Sequence, residues 1–346
     1  MAKIFLDLEK LKNPNSGLGQ FCLHLSRSIY NLIEDSNELG VYLPKEYAKD
    51  YPKSKIILWS RFHKALNIRV NADIWHSLHQ EAVYFPKNRK IKRVLTIHDL
   101  NFLDTYKGAK QLKHLKALQK LVNNSSAITF ISQFTKDVAE ENLNIPSHIV
   151  TKVIYNGVAI DKLVDSKNPV FVKGFEPFLF TIGIVGEKKN FHILVEMMKH
   201  LPSLKLYISG RSNSSYAEKI RGLILKNELT NQVFLTGEIT ESEKKWMYKN
   251  CSAFVFPSKN EGFGLPVVEA MSFGKPLILS NKTSLPEIGG DLASYFISYE
   301  PKKMADNVFN TINKHSLEQS QSLINRSKVF SWDNAAKEYL DLYNSI

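Results

Sequence analysis

Residues 256–276 read FPSKNEGFGLPVVEAMSFGKP, from Phe256 to Pro276. An apolar stretch, Ala253–Phe256, has the look of a buried strand running into this segment. A loop carrying Gly262 and Gly264 follows, and a helix is expected to begin near Pro266. Proline suits a first helical turn because its missing N–H has no partner there. The same turn offers unpaired N–H groups and the positive end of the helix dipole to an anion. Glu261 and Glu269 stand eight positions apart, one in the loop and one a turn inside the helix, so both carboxylates can point into one cleft. A carboxylate at a helix start is also an ordinary stabilising feature, worth about 0.3–1 kcal/mol. Only the succession of strand, glycine loop and helix raises these two above that.

Outward from this segment the same succession recurs. Residues 3–7, 56–58, 73–75, 94–97 and 127–131 read as short buried strands, with helical periodicity between several of them. A turn at 13–17 precedes a helix carrying Leu18, Phe21, Leu25, Ile29 and Leu32. The pattern restarts after Asn156-Gly157, with strands expected at 178–182, 204–209, 233–236, 253–256 and 276–279 and a helix over 190–200. Alternating apolar strands and helices imply parallel sheets covered on both faces. The chain therefore reads as two doubly wound α/β domains in tandem, 1–160 and 161–330, with a last helix in 331–346. Ligands of such sheets lie beyond the carboxyl ends of the strands, which puts the expected site in a cleft between the two domains.

Composition narrows the class. The 346 residues are 43% hydrophobic, enough for two cores. No apolar run approaches the roughly 18 residues of a membrane span, and Lys3, Asp7, Glu9 and Lys10 interrupt any signal-peptide core at the start. The two cysteines, Cys22 and Cys251, lack a C-x-x-C partner, which argues against zinc and disulfide scaffolds and points to a reducing, cytoplasmic setting. The net charge of +12 is uneven: residues 1–160 carry +9 and residues 161–346 carry +3. The first half thus faces something anionic, whether a phosphorylated substrate, nucleic acid or a membrane surface.

The 256–276 segment resembles the Glu-x7-Glu motif of retaining glycosyltransferases with the GT-B fold, family 4 in particular. Other landmarks follow in order. Residues 15–21 (NSGLGQF) resemble the N-terminal glycine loop, 96–100 (TIHDL) the His-Asp segment, and 131–135 (ISQFT) and 156–158 (NGV) two further stretches. Residues 183–190 (GIVGEKKN) resemble the basic donor-phosphate loop and 285–290 (LPEIGG) a downstream donor segment. The likeness runs from about residue 4 to Tyr343. It implies two Rossmann-like domains facing across a cleft, the first for the acceptor and the second for the nucleotide sugar, with the C-terminal helix packing back on the first.

That resemblance assigns roles. Expulsion of a nucleoside diphosphate builds negative charge on phosphate, which cations and helix-terminal N–H groups stabilise more in the transition state than in the ground state. Lys188 and Lys189, ahead of a helix expected to start near Asn190, would meet that phosphate. The family commonly has Arg then Lys there, so Lys188 replaces a bidentate fork by a point charge. Glu269 would accept the ribose hydroxyls, Glu261 would lie by the donor sugar, and the backbone of Gly262, Phe263, Gly264 and Leu265 would line its pocket. His98 would project toward the donor sugar, with Asp99 a cap, and Gly17 and Gly19 would admit the donor phosphate or acceptor closely. No nucleophile is assigned, since a covalent carboxylate intermediate and same-face attack both fit a retaining reaction. No Asp-x-Asp occurs, so no metal and no cofactor is expected beyond the nucleotide-sugar co-substrate. GDP-mannose is the first choice of donor, with a glycan or lipid-linked oligosaccharide as acceptor in surface polysaccharide or lipopolysaccharide synthesis.

Over residues 106–122, Lys110, Lys113, Lys116 and Lys120 fall within an arc of about 120° at 100° per residue. Leu112, Leu115, Leu118, Leu121 and Val122 take the opposite side. The ordinary account is a solvated face. The sharper one is a basic face set on anionic lipid at the inner face of the cell membrane, reinforced by residues 85–93 (FPKNRKIKR). Two other enzymes that can share the fold, a nucleotide-sugar epimerase and a phosphorylase, fit the glutamate pair less well. A nucleic-acid-binding protein is disfavoured because no helix-turn-helix, zinc-finger or RRM pattern accompanies the charge. A non-catalytic glycan binder would leave the joint presence of Glu261, Glu269 and Lys189 without a reason.

Overall fold

A computed structural model of the chain describes residues 2–14, 16–33, 37–66, 68–158, 165–174 and 176–346. It divides into two compact units: Met1–Gly157 together with Phe330–Ile346, and Val158–Val329. The boundary expected at 160/161 lies outside the described residues, as does Asn15 of the glycine loop.

The first unit is built on seven parallel strands: β1 (Lys3–Asp7), β2 (Glu38–Leu43), β3 (Lys55–Leu58), β4 (Ile74–Ser77), β5 (Lys92–Ile97), β6 (Ala127–Phe130) and β7 (Val150–Val153). Their order is β3-β2-β1-β4-β5-β6-β7, so the winding reverses between β1 and β4. The central strands are apolar along their length because helices cover both faces; Ile4, Phe5 and Leu6 are wholly buried. β2 and β7 escape a reading of periodicity for different reasons. Gly40 breaks the apolar run of β2, and its missing side chain makes room for the Phe5 ring, which a Cβ would meet at 2.2 Å. β7 is an edge strand with the mixed sequence VTKV and is partly open to solvent.

The helix Gly17–Leu32 starts at a Ser16 cap, whose Oγ accepts the Gly19 N–H at 3.0 Å. It packs against the helix Trp332–Ser345, capped in turn by Ser331, which accepts the Asn334 N–H at 3.2 Å. Chain entry into that last helix is tight. A Cβ on Gly157 would lie 2.2 Å from the backbone nitrogen of Trp332, so only glycine fits there. The helix then delivers two tyrosines into the sheet. Tyr343 Oη sits 2.6 Å from His76 Nδ1 on β4, and His76 Nε2 is 2.7 Å from Thr96 Oγ1 on β5. Thr96 Oγ1 reaches Thr129 Oγ1 of β6 at 2.8 Å, and Tyr339 Oη lies 3.1 Å from both. A buried polar ladder thus crosses three strands with its hydrogen-bonding groups satisfied.

The second unit holds six parallel strands: β8 (Phe178–Ile182), β9 (Lys205–Ser209), β10 (Val233–Gly237), β11 (Ala253–Phe256), β12 (Leu277–Ser280) and β13 (Ser294–Phe296). The order β10-β9-β8-β11-β12-β13 reverses between β8 and β11. Its core gathers Leu179, Leu206, Val255 and Ile278 from the strands with Phe191, Met198 and Met304 from the helices. β13 has only three residues, SYF, too few to show a period.

Burial sets the pH dependence of the first unit. It pushes the imidazole of His76 down to about 3 and that of His98 down to about 4, and holds His79 well below the ordinary value of 6.5. The unfolded chain therefore binds more protons than the native one below about pH 6.5, and stability falls as pH drops from there toward 4. Burial also pushes Asp7 up to about 8, with the opposite sign: its contribution is lost as pH rises from about 4 to 8. Thermal melting should be highest near pH 6–7, and Asp7→Asn should flatten the alkaline side while steepening the acid side. Tyr343→Phe should lower stability at neutral pH by about 1–3 kcal/mol, since His76 Nδ1 loses its buried partner.

Candidate active site

The two strands flanking the reversal in the second unit, β8 and β11, carry the predicted donor residues at their carboxyl ends. β8 leaves the sheet at Gly183, φ 152°, and a Cβ on Gly210 beyond β9 would lie 2.2 Å from the Gly183 oxygen. After Gly186 the chain makes a single 3-10 turn, Glu187–Lys189, closed by Asn190 in the left-handed conformation at φ 59°. The helix expected from Asn190 therefore begins later, at His192–Met198. The tight turn separates the two lysines. Lys188 is exposed, whereas Lys189 is 8% exposed and lies across the bare face of Gly183, where a Cβ would meet its Cε at 3.0 Å.

Lys189 Nζ is 2.5 Å from Glu261 Oε1 and 4.7 Å from the centre of the Phe256 ring. Ser258 Oγ lies 2.6 Å from the same carboxylate oxygen and 3.2 Å from the Lys188 carbonyl, which also accepts the Lys259 N–H at 2.8 Å. The loops after β8 and β11 are thereby tied together. From the other side Thr283 Oγ1 accepts the Glu261 N–H at 3.2 Å, and the buried Ser284 hydroxyl donates to the carbonyls of Glu261 and Phe263. Thr283 has φ 58°, an uncommon conformation for a β-branched residue and a mark of local strain.

Gly264, φ 101°, precedes the helix Leu265–Ser272, with Pro266 in its first turn. A Cβ there would fall 2.9 Å from Leu285 Cδ2, so conformation and space both require glycine. The Phe263 ring is buried, and Gly262 has no side chain, so this loop can offer a ligand mainly its backbone. Within the helix, Glu269 accepts Tyr248 Oη at 2.7 Å and Lys244 Nζ at 3.1 Å, one donor for each oxygen. Burial pulls Lys244 down, but the carboxylates of Glu269 and Glu241 outweigh it and its pKa stands above the ordinary lysine value. Tyr248 is held well above the usual phenol range by burial and then by the Glu269 charge, so its O–H remains a donor.

The structure thus brings Lys189 and Glu261 together, and gives Glu269 two partners that sequence reasoning missed. Lys244 and Tyr248 stand one turn apart on the helix Glu241–Asn250. The Thr240–Glu243 capping box that opens this helix is legible in the sequence and would have placed both on one face. Ser258, Thr283 and Ser284 show no comparable pattern.

The candidates of the first unit sit differently. His98 follows β5 and is 6% exposed; its Nε2–H donates to the Leu78 carbonyl at 2.8 Å, and the Phe21 ring meets it edge-on at 4.5 Å. Its backbone N–H donates to Gln80 Oε1 at 3.1 Å. With its pKa near 4 the ring is neutral at pH 7. Asp99 Oδ1 accepts the Asn101 N–H at 3.0 Å, a local turn bond. Gly17 opens its helix with open space around it, while Gly19 is required by the chain itself, since a Cβ would lie 2.2 Å from the Asn13 oxygen. Lys110, Lys113, Lys116 and Lys120 are all exposed on the helix Gly108–Val122. Leu112, expected on the buried side of that helix, is 50% exposed.

The fold and these loops define a sugar-transferring enzyme of the GT-B class. Residues 165–329 match the family described as "Glycosyl transferases group 1" and residues 23–162 match "Glycosyltransferase Family 4". The chain belongs to this glycosyltransferase family. Among curated relatives, O-antigen chain mannosyltransferase B of Escherichia coli is 21% identical over 99% of both chains. Among solved structures, sucrose-phosphate synthase from Thermosynechococcus elongatus superposes over 100% of this chain and 99% of that one, with a TM-score of 0.77 at 16% identity. HepE of Anabaena, in complex with UDP and glucose, covers both chains completely with a TM-score of 0.75 at 15% identity.

Removing one partner of a buried ion pair typically costs about 3–5 kcal/mol. Lys189→Met should accordingly lower the melting temperature, and combining it with Glu261→Gln should restore part of the loss. Lys188→Met should leave melting unchanged. Equal melting of all three variants, followed by calorimetry, would mean that the pair contributes nothing.

Proposed function

We propose that this glycosyltransferase moves mannose from GDP-mannose to a hydroxyl of a glycan or lipid-linked oligosaccharide, with retention at the anomeric carbon and without a metal. The observation that carries the reading is the pairing of the two glutamates at the carboxyl edge of β8 and β11: Glu261 with Lys189, Glu269 with Tyr248 and Lys244. Glu269, already oriented by two donors, accepts the ribose hydroxyls of the nucleotide. The diphosphate takes the Lys189 ammonium in exchange for Glu261, leaving that carboxylate beside the donor sugar. Lys188 and the N–H groups from Gly262 to Leu265 complete the neutralisation as the sugar–phosphate bond lengthens. These are cations and dipoles fixed before reaction, the arrangement that favours developing charge. Lysines and a helix terminus fill the role that a divalent cation has in other sugar transferases.

Mannose is favoured by the E. coli relative, whose name gives a mannosyltransferase of O-antigen chains. The UDP bound to HepE makes UDP-sugars the natural comparison. A panel of GDP- and UDP-sugars, scored by binding and slow hydrolysis, fixes the donor without the acceptor. GDP-mannose should bind most tightly, and a UDP-sugar outranking it would overturn the choice. Glu269→Gln should raise the donor dissociation constant, while Glu261→Gln should mainly lower turnover. Lys189→Ala should reduce turnover by about 10²–10³-fold. Activity should survive EDTA; its loss, with recovery on adding manganese, would refute the metal-free mechanism.

The acceptor is proposed to reach the enzyme at the cytoplasmic face of a membrane. Among the described residues no helix is long and apolar enough to cross one. The four exposed lysines on the helix Gly108–Val122 support a peripheral contact, each worth about 1 kcal/mol near an anionic surface. Changing Lys110, Lys113, Lys116 and Lys120 to Gln should release the protein from anionic vesicles at low salt. Turnover on a water-soluble acceptor analogue should stay unchanged. Equal sedimentation of both proteins would make the stripe a solvated face.

A further inference from the structure

The first unit contains a half-open cavity of about 870 Å³, apart from the loops around Lys189 and Glu261 in the second unit. Pockets of about 300–1,000 Å³ accommodate small organic ligands, and well-packed interiors leave few voids larger than a water molecule. Ala117, Leu118 and Leu121 of the helix Gly108–Val122 form one wall, and Ala82, Val83 and Phe85 the other. These apolar walls are joined by the polar side chains of Gln80, His114 and Asn124.

Three of the lining residues are cations: Lys64, Arg93 and Lys120. Arg93 is the informative one. It is half-buried, its Nη2 donates to the Pro86 carbonyl at 2.8 Å, and its guanidinium lies 4.6 Å from the centre of the Phe85 ring. Among the described residues no carboxylate comes within 4.0 Å of it. Burial lowers its pKa, as expected of a cation held partly out of water without a counter-ion. Glu81 also lines the cavity but faces Lys10 at 3.8 Å. Phe62 and Leu66, on either side of Lys64, are each 61% exposed, and Val83 is 42% exposed. Apolar walls, uncompensated cations and apolar side chains left in solvent complement a molecule with a hydrocarbon chain and an anionic head.

We propose that this cavity takes one hydrocarbon chain of an anionic phospholipid drawn from the bilayer, with the lipid phosphate on Arg93 and Lys120. The site shares Lys120 with the lysine stripe but differs from it in kind. Attraction between exposed charges is screened by salt, whereas a chain sheltered in the protein is held by a force that salt does not weaken. A single chain anchors a protein only marginally, and a chain combined with a basic patch is one of the pairings that gives stable attachment. The inference is independent of the donor assignment, because nucleotide binding is read separately in the second unit.

The test uses the full chain and three soluble probes followed by calorimetry: dodecyl phosphate, dodecyl maltoside and inorganic phosphate. Dodecyl phosphate should bind at one site about tenfold or more tighter than dodecyl maltoside, and inorganic phosphate should not displace it. Ala117→Trp, or Val83→Trp should the first fail to fold, should weaken dodecyl phosphate by about tenfold or more. Arg93→Gln should weaken dodecyl phosphate and leave dodecyl maltoside unaffected. Melting and GDP or UDP titration report on folding and on the donor site, and both should match wild type. In flotation with phosphatidylcholine vesicles containing phosphatidylglycerol, high salt should reduce binding of wild type but leave a fraction bound that the Trp variant loses. Unchanged binding in correctly folded Trp variants would overturn the proposal, and so would displacement by inorganic phosphate. Dodecyl phosphate binding without any salt-resistant vesicle binding would assign the cavity to a soluble or acceptor amphiphile and overturn it equally.

Discussion

An ammonium and a carboxylate 2.5 Å apart, with side chains 10% and 13% exposed, hold two loops of the second unit together. Taking both charges out of water is costly, and only close geometry with further hydrogen bonds offsets the loss. Around Lys189 and Glu261 that bond comes from Ser258, the Phe256 ring adds a cation–π contact, and Thr283 fixes the Glu261 backbone N–H. Because Lys189 belongs to the turn after β8 and Glu261 to the loop after β11, the pair fixes both loops at the place where the sheet reverses. Gly183 lacks a side chain so that the lysine can lie there, and Asn190 turns left-handed so that the helix starts clear of it. Few alternatives would keep a lysine this deeply buried.

Much of this was legible beforehand. Apolar strands of four to six residues gave two parallel sheets, and the 256–276 segment located the glycine loop between β11 and the helix Leu265–Ser272, because such strands and proline-started helices leave strong local signals. The losses have physical causes. β2 hides behind Gly40, β7 is an edge, and β13 is three residues long. The partners of Glu269 lie more than 20 residues away, on a neighbouring helix. Leu112 fits the apolar side of its helix by angle, yet no element packs over that end tightly enough to bury it.

His98 illustrates a different limit. Its type and its place after a buried strand are equally compatible with a catalytic or a structural histidine. In the folded unit its Nε2–H is given to the Leu78 carbonyl, and burial holds the ring neutral. Such a ring can contribute shape and an acceptor nitrogen, but no charge at neutral pH.

The return of residues 330–346 to the first unit has a consequence for how the protein is made. Domains generally fold as they leave the ribosome, at roughly 5–20 residues per second. Here the sheet that is synthesised first waits for Tyr339 and Tyr343 while the entire second unit emerges. For that interval, on the order of tens of seconds, His76, Thr96 and Thr129 lack their tyrosine partners and one face of the first sheet lacks its covering helix. The segment translated second is thus the first that can reach its final form, and the nascent first half is the one with a need for chaperones.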